Sequence, residues 1–183
     1  MAGSTVSAGV IADAVAAAKT YLRLADDAED ALIAQLAASA IAVGEAFCHA
    51  PFVVRAFEDV VSAGSGWQRL AQAPVSAILG ATGLPAQGAP FVMPVEAYGF
   101  DIDPDGMGWV CVLAAGAAGR VAISYSAGLA SDWSGVPAPI AQGVTMLIAH
   151  LFTDRASDSA PPAAVGALWR PYRRMTLGHG ARV

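Results

Sequence analysis

The feature that most constrains this chain is a hydrophobic period that changes twice along its length. Up to His49, and again over residues 138–154, apolar side chains recur every three or four residues. Between them, from Phe52 to about Tyr125, the pattern breaks into short β-branched or aromatic runs separated by Gly, Pro and Asp. A period of 3.6 gives a helix one apolar stripe, and a period near two gives a strand one apolar face. The chain is therefore expected to be α+β. A mainly α-helical core holds two N-terminal helices and a third near residues 138–154, with a small β lobe inserted and an extended C-terminal tail.

The first helix is expected over 10–22, where Val10, Ile11, Ala14, Val15, Ala18 and Leu22 share a face. Asp27 is the expected N-cap of the next, with Glu29 and Asp30 in its first turn where the helix dipole favours acid. That helix should run from Ala28 to His49, burying Leu32, Ile33, Leu36, Ala40, Val43, Gly44 and Phe47. Gly44, with no side chain, leaves room for a close neighbour, and Pro51 stops the helix. The third helix carries the clearest pattern: Ile140, Val144, Leu147, Ile148, Leu151 and Phe152, behind Pro137 and Pro139.

Strands are expected at 52–60, 67–70, 75–79, 95–102, 109–113 and 120–125. Turns are expected at 63–66 and 103–106, where Gly and Asp tolerate turn geometry. The last two strands read as a hairpin across 114–119. A linker at 157–162 and a helical turn at 163–169 lead into the C-terminal segment. As segments the chain divides into a helical pair (1–51), the β lobe (52–136), the third helix (137–155) and a docking tail (156–183), together one structural domain.

Charge is uneven. Residues 1–154 hold five Lys/Arg and fourteen Asp/Glu, and residues 155–183 hold five Arg and one Asp. A nucleic-acid binder would show a basic face, which this acidic body does not offer. The basic end suits docking onto an acidic surface or a neighbouring copy, although arginines that only keep the terminus soluble would look the same. No apolar run is expected to be long enough for a bilayer, and Met1 to Gly9 lacks the basic start of a signal peptide. Cys48 and Cys111 form no CxxC pair and read as buried thiols in a reducing compartment.

Chemical motifs are sparse. Asp101, Asp103, Asp105 and Gly106 reproduce the start of an EF-hand loop, but Val112 stands where the bidentate Glu belongs, so an acidic turn is the plainer reading. His49, His150 and His179 make no metal-binding pair. Asp26/Asp27 and Glu58/Asp59 read as helix capping and a solvated strand edge, not as acid–base pairs. Ser65 lacks a nucleophile-elbow context, and there is no phosphate-binding loop. No enzyme, cofactor or metal site is expected.

Several phrases, in order, resemble the head–tail connector (adaptor) family of tailed phages. The resemblance is to the branch found in alphaproteobacterial prophages and gene transfer agents. They are Lys19-Thr20-Tyr21-Leu22-Arg23 before the acidic break; Pro74-Val75; Pro94-Val95-Glu96-Ala97-Tyr98; Arg120 to Gly128 followed by Val136-Pro137-Ala138-Pro139-Ile140; and Leu168-Trp169-Arg170-Pro171-Tyr172-Arg173-Arg174. The likeness spans about residues 15–177 and departs at Gly80–Gly88 and at His179–Val183. It implies a virion structural protein made in the bacterial cytoplasm and placed in the particle neck. Its partners would be the portal protein, neighbouring copies in a dodecameric ring, and a stopper or tail component, with DNA passing through unread and no membrane involved. Leu168, Trp169, Arg170, Pro171, Tyr172, Arg173 and Arg174 would dock on the portal, the aromatics as anchors and the arginines as bidentate donors. Another neck or tail-completion protein, or a small calcium- or ligand-binding protein, remains the alternative.

Overall fold

The computed structural model describes residues 2–3, 5–154 and 159–174. They form two compact units, one helical (5–53 with 129–154 and 159–174) and one β (54–128 with residues 2–3). The expected linker residues Ser157 and Asp158, and His179, lie outside the described residues.

The helical unit contains α1 (Ala8–Leu22), α2 (Asp30–Cys48), α3 (Ala138–Thr153) and α4 (Ala163–Trp169), the last running on into a 3-10 turn, Arg170–Tyr172. Helix α1 buries Val10, Ala14, Val15 and Ala18, as the spacing predicts, and Ser7 caps it by accepting from the Val10 N–H. Helix α2 buries Ile33, Ala40 and Gly44 as predicted and half-buries Leu32, Leu36 and Phe47, but its buried stripe is rotated from the predicted face. Its buried stripe is Ile33, Ala37, Ala40, Ile41, Gly44 and Cys48, while Val43 is 54% exposed. Ala37, Ala40 and Gly44 between Ile33 and Ile41 let neighbouring helices approach closely along this stripe, which leaves Val43 on the outside. Asp27 is not the N-cap of α2: Glu29 takes that position without a side-chain cap, and Asp27 instead pairs with Lys19. Helix α3 buries Ile140, Val144, Leu147 and Ile148 and half-buries Leu151 and Phe152.

Contrary to the sequence expectation, α2 is long and apolar enough to cross a membrane, at 19 residues and a mean hydropathy of 1.7. Much of that apolarity is alanine, and its small-residue stripe is committed to the core shared with α1 and α3.

The β unit holds two antiparallel sheets. The larger contains β1 (Ala2–Gly3), β2 (Arg55–Ser62), β4 (Val75–Pro85), β5 (Phe91–Val92) and β8 (Ala118–Ala127), in the order β1-β2-β8-β4-β5. The smaller contains β3 (Gln68–Arg69), β6 (Tyr98–Ile102) and β7 (Gly108–Val112), in the order β3-β7-β6. Leu70, Val75, Val110, Val112, Val121, Ile123 and Tyr125 fill one core between them.

The predicted hairpin across 114–119 does not form. Strand β7 pairs with β6 and β3, whereas β8 pairs with β2 and β4, so the chain changes sheets between them. The hairpin that does form joins β6 to β7. There the Asp103 carboxylate accepts from the Asp105 and Met107 N–H groups at 3.0 and 2.8 Å, and Gly106 takes φ +74°. With β6 on one side of β7 and β3 on the other, no side of β7 is left for β8. Strand β4 runs through the glycine-rich stretch to Pro85, with the Phe91 ring covering Gly83, its Cζ 2.5 Å from where a Cβ would stand. Residues 95–97, expected as strand, form a 3-10 turn after Pro94.

Asp59 is not a solvated edge residue. The fully buried Tyr125 donates its hydroxyl to Asp59 at 2.8 Å, and the same carboxylate oxygen accepts the Ala71 N–H at 2.7 Å. The Tyr125 oxygen also accepts the Gln72 N–H at 3.1 Å. Burial raises the Tyr125 pKa well above that of a free phenol, so it stays a neutral donor.

Candidate functional site

The segment singled out by sequence, Leu168–Arg174, lies within the helical unit against the C-terminal end of α2 and the start of α3. Pro161 and Pro162 end the preceding connection, and Pro162 has the fixed φ (−54°) suited to entering a helix. Helix α4 brings Val165 and Trp169 inward on one face, four residues apart.

Trp169 is only 2% exposed. Its indole occupies a slot between α2 and α3 that two glycines make possible. A Cβ on Gly143 would stand 2.8 Å from indole Cε2, and one on Gly44 would stand 3.2 Å from indole Cζ2 and 2.8 Å from the Phe52 ring. The indole N–H donates to the Ile140 carbonyl at 3.2 Å, satisfying the one polar atom that burial would otherwise leave unpaired. Phe47 tilts against the ring, with centroids 5.9 Å apart. Gly44 was legible in the sequence as a point of close approach, though the neighbours are Trp169 and Phe52. Gly143 was missed; its one signal is a glycine inside a strong helical pattern.

The flanking residues pin the segment further. The Arg174 N–H donates to the Cys48 carbonyl at 2.9 Å, taking up an acceptor that the end of α2 leaves over. The Cys48 thiol lies 3.8 Å from the Trp169 carbonyl. Burial pushes its pKa up to about 11, so it is a packing thiol and not a nucleophile. Arg173 sets its guanidinium over the Phe47 ring, 5.7 Å from the centroid. Leu168 and Tyr172 are half-buried against the same core, and Arg170, Pro171 and Arg173 are exposed. The sequence-predicted residues are thus brought together but divided: Trp169 faces inward as a fixing pin, and the arginine-bearing turn faces solvent. Residues 159–174 contain no Asp or Glu, so the exposed turn is cationic.

The other candidates have local duties. Both Asp103 oxygens accept hydrogen bonds, Oδ2 from the Trp109 indole at 3.2 Å, so this carboxylate organises the β6–β7 turn. Among the described residues no group of three or more His, Cys, Asp or Glu is arranged to hold a metal. His150 sits 3.2 Å from Asp154, one helical turn on.

No protein-family model matches the chain, and no curated protein matches it. Solved structures do. The chain is 27% identical to one from the neck of an empty gene transfer agent particle computed with C6 symmetry, with a TM-score of 0.78 and 98% of each chain covered. It is 27% identical to one from the virion of a native gene transfer agent particle, with a TM-score of 0.77 over 98% of this chain and 99% of that one. It is 25% identical to one from the neck of a native particle computed with C12 symmetry, with a TM-score of 0.72 and both chains fully covered. Likeness along the whole length, in fold and in sequence, supports a virion structural protein. More particularly, it supports a structural protein of the neck of a gene transfer agent-type particle.

Proposed function

We propose that this chain is a head–tail adaptor. Twelve copies form a ring beneath the portal, extend the DNA channel, and present a surface to the stopper or tail component below. The observation that carries this reading is the end-to-end likeness to chains from particle necks, computed with sixfold and twelvefold symmetry. The role is structural and not enzymatic, in keeping with polar clusters that serve local folding. Asp103 builds a turn, Asp59 holds Tyr125, and Asp27 pairs with Lys19. The cationic turn at Arg170–Arg173, with Arg174, docks on carboxylates of the portal, while Trp169 fixes it from beneath. DNA passes without being read, because an acidic body gains nothing from phosphate contacts.

The test is electron microscopy of particles from a producing strain lacking the gene. Filled capsids without tails are expected, and intact tailed particles would overturn the proposal. Arg170→Glu with Arg173→Glu should give the same tailless capsids with a normally folded protein. Tailed particles from that variant would remove the docking role from this turn.

A further inference from the structure

The five-stranded sheet of the β unit has an inner face that fills the core and an outer face that does not. On β8, Val121, Ile123 and Tyr125 point inward, so Arg120, Ala122, Ser124 and Ser126 point outward. The register carries this across the neighbouring strands. Val60 and Thr82 lie opposite Ala122, and Val92 lies opposite Thr82, so the four residues form one row over four strands. The row on one side holds Glu58, Ser124 and Gly80, and the row on the other holds Ser62, Arg120 and Leu84. Val60 is 52% and Val92 85% exposed, so nothing among the described residues caps the two ends of the apolar row. Other exposed apolar side chains lie outside these rows: Leu79 at the β4 bulge, and Val95, Phe100, Ile102 and Leu113 in and beside the smaller sheet.

Open faces of antiparallel sheets are commonly polar and charged. Here the three rows hold one acid and one base, Glu58 and Arg120, both exposed and in no ion pair among the described residues. They stand on opposite sides of the apolar row, one strand apart. With no net charge, the face has nothing to steer a strongly acidic or basic partner. It complements itself instead. A second copy, turned half a circle about the Val60–Val92 row and laid face to face, sets its Val60, Ala122, Thr82 and Val92 on the same residues of the first. The same turn brings its Arg120 within one strand of the first copy's Glu58, a step that two long side chains span, and symmetry makes the pair twice. Ala122, Thr82, Ser124 and Gly80 are small, so the sheets approach closely at the centre. Four strands about 4.8 Å apart, paired over eight residues of about 3.4 Å each, give a face of about 500 Å² per copy. A total of about 1,000 Å² lies at the lower end for a specific contact, so the pair is dissociable.

We infer that the outer face of the five-stranded sheet seats the same face of a second copy of this chain, across a twofold axis along the Val60–Val92 row. A closed ring is built from heterologous contacts, so this pairing belongs to the free chain before it enters a ring, and it does not depend on the ring reading. The experiment is sedimentation of the purified full chain at about 100 µM, where a micromolar contact is largely formed, followed by treatment of V60C with a short bis-maleimide. A dimer is expected, and V60C should give a cross-linked dimer and nothing larger, because a residue on a twofold axis meets its own counterpart. Both native cysteines are buried, so the parent chain is the background control. E58R and R120E should each weaken the dimer about tenfold with the melting temperature unchanged, and the E58R/R120E pair should recover it. A monomer at that concentration would overturn the pairing. So would a V60C ladder beyond the dimer, which would make the contact head-to-tail, or a dimer indifferent to both single charge variants. A monomeric chain whose V60K variant yields tailless capsids would also overturn it, and would assign the face to another neck component.

Discussion

Gly143→Ala puts the Trp169 slot to a test in which even the sign of the effect is informative. Position 143 lies inside α3, where replacing Gly by Ala in a helix interior ordinarily stabilises by about 1 kcal/mol. Here the added Cβ would stand 2.8 Å from indole Cε2 and closer still to Nε1, against a rigid ring walled on its other side by Gly44. The indole must leave, and with it go its burial and its bond to the Ile140 carbonyl. Truncating a buried Trp costs roughly 3–5 kcal/mol. Set against the propensity gain, the net loss is about 2–4 kcal/mol. The assay is urea unfolding followed by circular dichroism at the helix band. In a Trp169→Leu background the same substitution should be neutral or stabilising, because nothing rigid then fills the slot. A Gly143→Ala protein as stable as its parent, or more so, would refute the slot.

Three further outcomes follow from the same packing. Tyr125→Phe leaves the Asp59 carboxylate and the Gln72 N–H each short of a partner, and should lower stability by about 1–3 kcal/mol; an unchanged urea midpoint would show that water replaces the hydroxyl. Lys19 holds the Asp27 carboxyl below its ordinary pKa, chiefly through the side-chain hydrogen bond. That contribution is complete above the ordinary carboxylate value and is lost as pH falls through the lowered one, so Lys19→Met should flatten the acid arm of the stability–pH curve. An unaltered acid arm would dismiss the pair. Cys48, with its thiol pKa raised to about 11, should resist alkylation at pH 8 until the helical unit unfolds, and rapid labelling of the folded chain would place it at the surface.

The sequence by itself determined the elements that depend on neighbours a few residues away. The apolar spacing of α1 and α3 is a property of one turn of helix, and the structure buries or half-buries the residues it marks. The 163–169 turn and the β6–β7 turn at Asp103–Gly106 were legible for the same reason, since Pro162 and Asp103 act on their own backbone. Tertiary structure alone decided what depends on distant partners. The buried side of α2, where Ile33 and Ile41 alternate with Ala37, Ala40 and Gly44, was set by how α1 and α3 pack on it, which left Val43 outside. The pairing of β8 with β2 and β4, instead of with β7, joins residues as far apart as Arg55 and Ala127, and no local period records it. In the candidate site, Trp169 read from sequence as an outward anchor because Trp, Tyr and Arg together have the composition of an interface. Its inward direction depends on Gly44 and Gly143, which lie 125 and 26 residues before it. A side chain's type is written in the sequence, whereas the direction it faces is fixed by the space that other parts of the chain leave for it.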